Sequence, residues 1–282
     1  MECLTIGADD LTFIKENIVN NLSANTVRGI SFVSHLSESN KTQYLDICFT
    51  PNTNEEKGKK FPDGLDILMA QWIRQKYESR ILRQIIMSNY GYFSKQEQAK
   101  IFRTVLDNRK KEKNNLSEIK MIQERVSEYL QTSNKIYLDG FVRFRLREYW
   151  SELENEVEEV VDEFLLQREY NEFIDLLKFF VEIQTPRVEF LHVFSKEDGQ
   201  YRFLDQDKKN ITQECLSEFI ADLHSEEITY GDMLISVLIM LAPQKIYWHN
   251  SEIETNKELL QTAQMIFGNN LIICTGCDLC QR

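Results

Sequence analysis

The sequence contains no long apolar segment, and its first residues do not have the pattern expected of a secretory leader. Its longest largely apolar run, Met233–Pro243, covers about eleven residues, well below the roughly 20 that a membrane-spanning helix needs. The N-terminal MECLTIGADD carries acids, whereas a signal peptide has basic residues followed by an apolar stretch. We therefore expect a cytoplasmic protein without membrane insertion, whose six cysteines are free thiols or metal ligands rather than disulfides.

The sequence also lacks the motifs of common enzyme classes. It has no Gly-x-Gly-x-x-Gly stretch, no P-loop and no serine nucleophile elbow, so nothing supports nucleotide-dependent catalysis. Internal repeats and low-complexity tracts are absent as well. With 282 residues and 42% apolar content, the chain can nevertheless bury a core without the help of a metal or a disulfide.

Basic charge is scarce overall but concentrated in one region. The formal net charge is -12, which argues against a protein built mainly to coat nucleic acid. Residues 57–113 contain fourteen Lys or Arg against six Asp or Glu, a net +8, and residues 148–189 contain three against thirteen, a net -10. These regions either pair with each other or stay solvated in the fold, or the basic region faces an anionic partner.

Apolar periodicity and turn residues divide the chain into three segments. Residues 1–60 predict a small α/β unit in βαββ order, residues 61–185 a helical domain, and residues 186–282 an α/β domain with a cysteine-rich tail. In the first segment we expect one helix, at Asp10–Leu22, and three strands, at Cys3–Gly7, Ile30–His35 and Tyr44–Thr50. In the second we expect helices at Leu65–Tyr90, Lys95–Asn108 and Leu116–Leu130.

A further helix is predicted to begin near Asp139, whose carboxylate is placed to cap the first turn. Apolar residues from Val142 to Phe164 share one face of this helix. Phe141 and Phe144 lie on other faces. We therefore expect the first turns to be covered on more than one side, as at the centre of a bundle.

After Pro186 the pattern changes from helical to mixed. The strand-like stretches VEFLHVF and YRFLD flank Glu197-Asp198-Gly199, which predicts a hairpin. The strand KIYWHN, a helix at Glu254–Phe267 and the strand LIIC then form the pattern of a βαβ crossover, whose strands run parallel. The predicted fold class is α+β, with an N-terminal βαββ unit, a helical middle and a C-terminal mixed sheet unit ending in this crossover.

Four stretches of the sequence resemble one protein family. They are YLDGFVRFRLREYW, EYNEFIDLLKFFVEIQTPRVEFLHV, DMLISVLIMLAPQKIYWHN and ICTGCDLC. Together they resemble the YtxC-like family, which is associated with sporulation in endospore-forming bacteria. The resemblance implies a cytoplasmic, sporulation-associated protein, and it carries no reaction, ligand or catalytic residue over to this chain.

Three cysteines near the end of the sequence form the strongest candidate site. Cys274, Cys277 and Cys280 are spaced as C-x-x-C-x-x-C, and parallel strands would bring His249 beside Cys274 at one sheet edge. Three thiolates and an imidazole complete a tetrahedral zinc shell, and three thiolates also suit an iron-sulfur cluster with an outside ligand. Alternatively, Cys274 belongs to the core while the others decorate a tail, or a thiol reacts with His249 as its base.

Arginines interleaved with aromatic residues form a weaker candidate site. Arg143, Arg145 and Arg147 stand among phenylalanines, and these residue types hold phosphates and stack bases in nucleic-acid-binding proteins. Their helical setting favours ion pairs with Glu148, with Glu152 or with the acidic helices instead.

The remaining histidines, His35, His192 and His224, are isolated in the sequence, which is typical of structural histidines.

From all these patterns we expect a non-enzymatic protein that acts through a protein partner, with zinc held by the terminal cysteines. The alternatives are a nucleic-acid-binding module that uses the basic helices of residues 57–113, and a thiol- or metal-centred enzyme at the terminal cysteines.

Overall fold

A computed structural model describes residues 2–12, 32–39, 42–49, 61, 64–111, 116–196, 199–221, 229–249 and 257–280. Its Cα packing divides the chain into two compact units, Met1–Phe164 and Leu165–Arg282. The fold class is α+β, as predicted, and the described strands form two four-stranded mixed sheets. Within the described residues, no helix is both long and apolar enough to span a bilayer. The division into three segments, 1–60, 61–185 and 186–282, stays a prediction, because the two compact units do not test it.

The first unit contains a sheet of strands β1 (Glu2–Ala8), β2 (Phe32–Ser39), β3 (Thr42–Phe49) and β4 (Lys135–Tyr137). The strand order is β2-β3-β1-β4, with β4 parallel to β1 and the other pairs antiparallel. Leu4, Ile6 and Ala8 of β1 are fully buried, the period of two that a strand with one apolar face requires. The three predicted N-terminal strands are confirmed, and the predicted helix at Asp10–Leu22 lies outside the described residues from position 13 onwards.

Two cysteines of this sheet form a disulfide, so the expectation of six reduced thiols or metal ligands is wrong. Cys3 on β1 lies directly opposite Cys48 on β3, with 4.0 Å between the Cα atoms, and the two sulfurs are bonded. Directly opposite positions on antiparallel strands bring side chains within bonding range. The sequence predicts both strands but not their register, and it therefore does not pair these two residues.

Helices form most of the remaining described part of the first unit. They are α1 (Leu65–Asn89), α2 (Lys95–Lys111), α3 (Leu116–Thr132), α4 (Leu138–Arg145) and the first part of α5 (Arg147–Ile183). A capping box starts α2, since the Glu97 N–H donates to Ser94 Oγ and the Ser94 N–H donates to the Glu97 carboxylate. The three helices predicted between Leu65 and Leu130 are confirmed to within one turn at each end.

A buried ionic network connects four of these helices. Arg109 of α2, only 6% exposed, bonds to the carboxylates of Glu78 on α1, Glu118 on α3 and Glu156 on α5. Arg74 on α1 shares Glu78 and Glu118. Because Arg109 belongs to the basic region and Glu156 to the acidic region, part of the opposite charge noted in the sequence is paired within the fold.

The junction of α4 and α5 differs from the continuous helix that the sequence predicts. The backbone leaves the helical conformation at Leu146, with φ -105° and ψ 40°, and α5 begins at the next residue. Phe141 is buried as expected, but Phe144 in the last turn of α4 is 63% exposed. The prediction that both phenylalanines are covered is therefore wrong for Phe144.

Asp139 does not cap α4, which corrects a second prediction. The helix begins at Leu138, one residue earlier, so Asp139 is already inside the first turn. Its carboxylate instead accepts hydrogen bonds from the Asp9 backbone N–H at 3.1 Å and from Arg80 at 2.9 Å. The residue therefore ties the start of α4 to α1 and to the chain that follows β1.

The second unit is a mixed sheet packed against helices. Besides the end of α5, it contains β5 (Phe190–Ser195), β6 (Tyr201–Leu204), α6 (Thr212–Ala221), α7 (Tyr230–Leu241), β7 (Lys245–His249), α8 (Lys257–Phe267) and β8 (Leu271–Ile273). The strand order is β6-β5-β7-β8, in which β5, β7 and β8 are parallel and β6 is antiparallel to β5. Val193, Trp248 and Leu238 are fully buried in its core. The predicted hairpin and βαβ crossover are both confirmed, and the carboxyl ends of β7 and β8 lie side by side.

Candidate metal centre

The carboxyl end of β7 supplies the first candidate ligand. Successive residues of a strand point to opposite faces, and here the indole of Trp248 lies in the core, donating to Ser195 Oγ at 3.0 Å. His249 therefore lies on the other face. It is 2% exposed and stacks on Phe194, its register partner on β5, with 4.3 Å between the ring centroids.

The three cysteines follow β8 in a tight turn. The Cys274 backbone N–H donates to the Trp248 carbonyl at 2.8 Å, which continues the pairing of β7 with β8. The chain then turns through Gly276, whose φ of +122° lies in the region that favours glycine. The Cys280 N–H donates to the Cys277 carbonyl at 2.9 Å and closes the next turn. Strand pairing and these turns bring all three thiols to the edge where β7 ends.

The donor atoms of His249 and the three cysteines lie within 4.8 Å of one another. Cys280 Sγ is 3.8 Å from Cys274 Sγ and 3.7 Å from Cys277 Sγ. His249 Nδ1 is 3.3 Å from Cys280 Sγ and 3.6 Å from Cys277 Sγ. Zinc bonds of about 2.3 Å to sulfur and about 2.0 Å to nitrogen give tetrahedral edges of about 3.8 Å and about 3.6 Å. The group of four could therefore hold a metal ion, and these four separations are close to the tetrahedral edges.

Burial and hydrogen bonding shift the pKa of His249 and of Cys277 toward the forms that bind a metal. At Cys274, the Gly276 backbone opposes burial and the neighbouring thiols, which together raise the pKa of this thiol above the ordinary value. Burial, aided by the neighbouring His192, lowers the pKa of His249 to about 4, so this imidazole is neutral at pH 7. Burial works against ionisation of Cys277, but N–H groups of Leu279 and Cys280 and the adjacent thiols hold the pKa of its thiol below the ordinary value. Neutral imidazole and thiolate are the forms that bind metals.

His192 is the neighbour that sequence reasoning missed. Its Nδ1 lies 2.9 Å from His249 Nε2, so the interpretation of His192 as an isolated histidine is wrong. The sequence signal is a ring at every second position of both strands, His192 and Phe194 on β5 and Tyr247 and His249 on β7. It indicates a contact between the histidines only once the parallel register of the two strands is known. The side chain of His35 and the whole of His224 lie outside the described residues.

Comparison with known proteins assigns the chain to a family. The model of the YtxC-like family matches residues 65–272, well over half of the chain. The chain belongs to the YtxC-like family. A relative from Bacillus subtilis (strain 168), named uncharacterized protein YtxC, is 25% identical over 136 residues, which make up 46% of this chain and 45% of the relative. The chain thus matches less than half of that curated relative's length, and no solved structure matches it.

The YtxC-like match contains only part of the candidate centre. It includes His192 and His249 but ends at residue 272, before the first of the three cysteines. The assignment of a metal centre consequently depends on the geometry of this chain rather than on its family.

The arginine cluster of this YtxC-like chain lies at the junction of α4 and α5, in the first unit. Arg143, Arg145 and Arg147 are exposed, and among the described residues none of them forms an ion pair. The expected pairing with Glu148 is wrong, because Glu148 bonds to Arg125 at 2.8 Å. The cluster therefore retains unneutralised positive charge.

Aromatic rings accompany two of these arginines. The Arg145 guanidinium lies 5.9 Å from the centre of the Tyr129 ring, and that of Arg143 lies 5.6 Å from the centre of the exposed Phe144 ring. Phe144, Arg145 and Arg147 line a groove of about 510 Å³ whose walls also include Tyr129. Charge and aromatic surface are thus adjacent in this groove.

Proposed function

We propose that this protein binds one zinc ion through Cys274, Cys277, Cys280 and His249, and that the ion has a structural role. The observation that carries the proposal is the convergence of the four donor atoms within 4.8 Å, with four of their six separations, 3.3 to 3.8 Å, close to the edges of one zinc tetrahedron. Four protein ligands leave no open coordination position for water or substrate. Such a centre is suited to holding a fold together rather than to catalysis.

The same distances favour zinc over an iron-sulfur cluster. In a 4Fe–4S cluster held by three cysteines and an outside ligand, each thiolate binds a separate iron, so the cysteine sulfurs lie farther apart than the edges around a single ion. A tetrahedral set of sulfur and nitrogen donors is typical of zinc.

We place this centre in a non-enzymatic, cytoplasmic protein that acts through a protein partner during sporulation. The sporulation context is carried over from the family resemblance noted in the sequence, and the lack of nucleotide-binding and hydrolase motifs in the sequence supports a role without catalysis. Zinc would fix residues 274–280 against the ends of β7 and β8 and so supply a rigid surface for recognition.

Elemental analysis of protein purified without a metal-binding tag tests the proposal. We expect one zinc per chain, lost on Cys277→Ser or Cys280→Ser, because a serine hydroxyl replaces a thiolate ligand. The control is Cys215→Ala, which removes a buried thiol outside the centre and should keep the zinc. A chain without metal, or zinc that survives both serine variants, would contradict the proposal.

Nucleic-acid binding is a second candidate function, favoured by the unpaired arginines beside an exposed ring. Guanidinium groups hold phosphates, and aromatic rings such as Phe144 stack on bases of single strands. In this binding mode the phosphate backbone of a single strand would lie along the groove between α3 and the α4–α5 junction.

Oligonucleotide binding at several salt concentrations tests this second function. Replacing Arg143, Arg145 and Arg147 together by Gln should weaken binding to a single strand and flatten its salt dependence by about 0.7 for each phosphate that the variant no longer neutralises. Lys178→Gln, outside both the basic region and the arginine cluster and paired with Asp175, is the control and should change neither quantity. Nucleic-acid binding would be excluded as the function if no oligonucleotide bound, or if the affinity changed neither with salt concentration nor with the triple substitution.

A further inference from the structure

The two nitrogens of the His249 ring face opposite partners. Nδ1 lies 3.3 Å from Cys280 Sγ, and Nε2 lies 2.9 Å from Nδ1 of His192. We infer that His249 binds the metal through Nδ1 and donates its Nε2–H to Nδ1 of His192, which makes His192 a positioning residue of the centre. This inference rests on the zinc centre proposed above.

The proton positions follow from ligation. The metal takes the lone pair on Nδ1 of His249, so the one proton of that neutral ring is on Nε2. Nδ1 of His192 must then accept the hydrogen bond, and the proton of neutral His192 is on its own Nε2. Without a metal either ring could donate, so ligation selects one of two hydrogen-bond arrangements.

Strand register holds both rings in this arrangement. His192 lies opposite Tyr247, Phe194 lies opposite His249, and the four alternate positions share one face of the sheet. His249 stacks on Phe194 with 10° between the ring planes, and His192 stacks on Tyr247 with 23° between theirs. A rotation of the His249 ring would therefore lose both a stacked neighbour and a hydrogen bond.

His192 acts on the metal only through His249. Its donor atoms are not part of the group of four that converges at the sheet edge. A partner on the second nitrogen of a ligating histidine orients the ring and raises its basicity, and removing such a partner weakens metal binding by about 10–100-fold. The same loss is expected here.

Two substitutions at position 192 separate the hydrogen bond from the packing. H192F keeps a ring that can stack on Tyr247 and removes the acceptor, whereas H192N keeps an acceptor close to the position of Nδ1. With Co²⁺ as the optical probe in competition with a chelator, we expect H192F to bind about 10–100-fold more weakly than the unaltered protein. H192N should recover most of that loss, and both variants should bind one Co²⁺ per chain at saturation because all four ligands remain.

Nitrogen NMR on zinc-loaded protein with isotope-labelled histidine adds a readout that a merely structural role would not move. We expect His249 to be ligated at Nδ1 with its proton on Nε2, and His192 to be protonated at Nε2. Ligation through Nε2 of His249, or unchanged Co²⁺ affinity in H192F, would overturn the inference and leave the zinc centre standing. Failure of the unaltered protein to bind Co²⁺ would overturn both.

Discussion

At the residue scale, the turn that presents the thiols depends on one glycine. Gly276 has a φ of +122°, and a Cβ added there would meet no atom within 4 Å. Gly276→Ala thus adds conformational strain without a clash, a cost of about 1–2 kcal/mol. Because the turn must adopt this φ to bring Cys274 and Cys277 together, we expect about 10-fold weaker Co²⁺ binding in a chelator competition.

Gly199 supplies the matched control for this substitution. It too has a positive φ, +77°, and open surroundings, but it lies in the turn between β5 and β6. Gly199→Ala should lower stability by a similar amount and leave Co²⁺ affinity unchanged. Equal effects of the two substitutions on affinity would mean that the turn at Gly276 has no special part in the centre.

Lys76 on α1 is a buried cation with a poor partner. Its Nζ has no hydrogen bond among the described residues, and its ion pair with Asp10 spans 4.0 Å. Burial lowers the pKa of Lys76 below the ordinary 10.5 by more than the attraction of Asp10 and Asp139 raises it. We therefore expect Lys76→Met to raise the free energy of unfolding by about 1 kcal/mol or more at pH 7.

The pH dependence of that gain has a definite sign. Below the lowered pKa, Lys76 is charged in both the folded and the unfolded chain, so the full cost of burying the charge is present. As pH rises from there to 10.5, the unfolded chain binds more protons than the native one, and the native protein gains stability. Urea unfolding should show the advantage of Lys76→Met shrinking over this range, and an advantage that grows instead would refute the assignment.

The residues of the candidate centre could be predicted where sequence spacing alone decides proximity. Cys274, Cys277 and Cys280 are close in sequence, and His249 follows from the rule that parallel strands end at one edge. His192 could not be found in this way, because its contact with His249 is a diagonal across two strands and requires their register. The Cys3–Cys48 disulfide escaped prediction for the same reason.

At the scale of elements, periodicity predicts helices well and their interruptions poorly. Val142, Leu146 and Tyr149 are all buried, so the apolar stripe continues across the break between α4 and α5. No proline or glycine marks the break. Instead, the Trp150 indole N–H donates to the Val142 carbonyl at 3.1 Å, a side-chain contact across eight residues that the apolar period does not reveal.

The network around Arg109 gives the sharpest prediction at this scale. Arg109→Met would remove the cation that bonds to the carboxylates of Glu78, Glu118 and Glu156, and it would leave Arg74 alone beside the first two. Removing one partner from a buried ionic network costs about 3–5 kcal/mol, which urea unfolding of the variant should show. Lys110→Met, at the exposed neighbouring position, is the control and should change stability by less than about 0.5 kcal/mol. A similar small effect for both variants would mean that the network contributes little.

At the scale of the whole molecule, the ionic network and the candidate metal centre belong to different units. Arg109 is in Met1–Phe164 and the four candidate ligands are in Leu165–Arg282. Fold class and element order follow from the sequence, because they depend on local periodicity and turn residues. The division into units does not, since it falls between Phe164 and Leu165 inside α5, where nothing local interrupts the helix.

This division predicts that zinc stabilises one unit selectively. A ligand that binds only the folded form adds about 2.7 kcal/mol when its concentration is 100 times Kd, and the gain applies to the cooperative unit that contains the site. Chelation of the zinc-loaded protein should therefore accelerate amide hydrogen exchange in β7, β8 and residues 274–280, and leave exchange in α1 to α3 unchanged. Arg109→Met should produce the reverse pattern, with faster exchange in α1 to α3 and protected amides around the zinc. If chelation accelerated exchange equally in both units, the chain would unfold as one body, and a zinc ion at His249 would stabilise the ionic network as much as its own sheet.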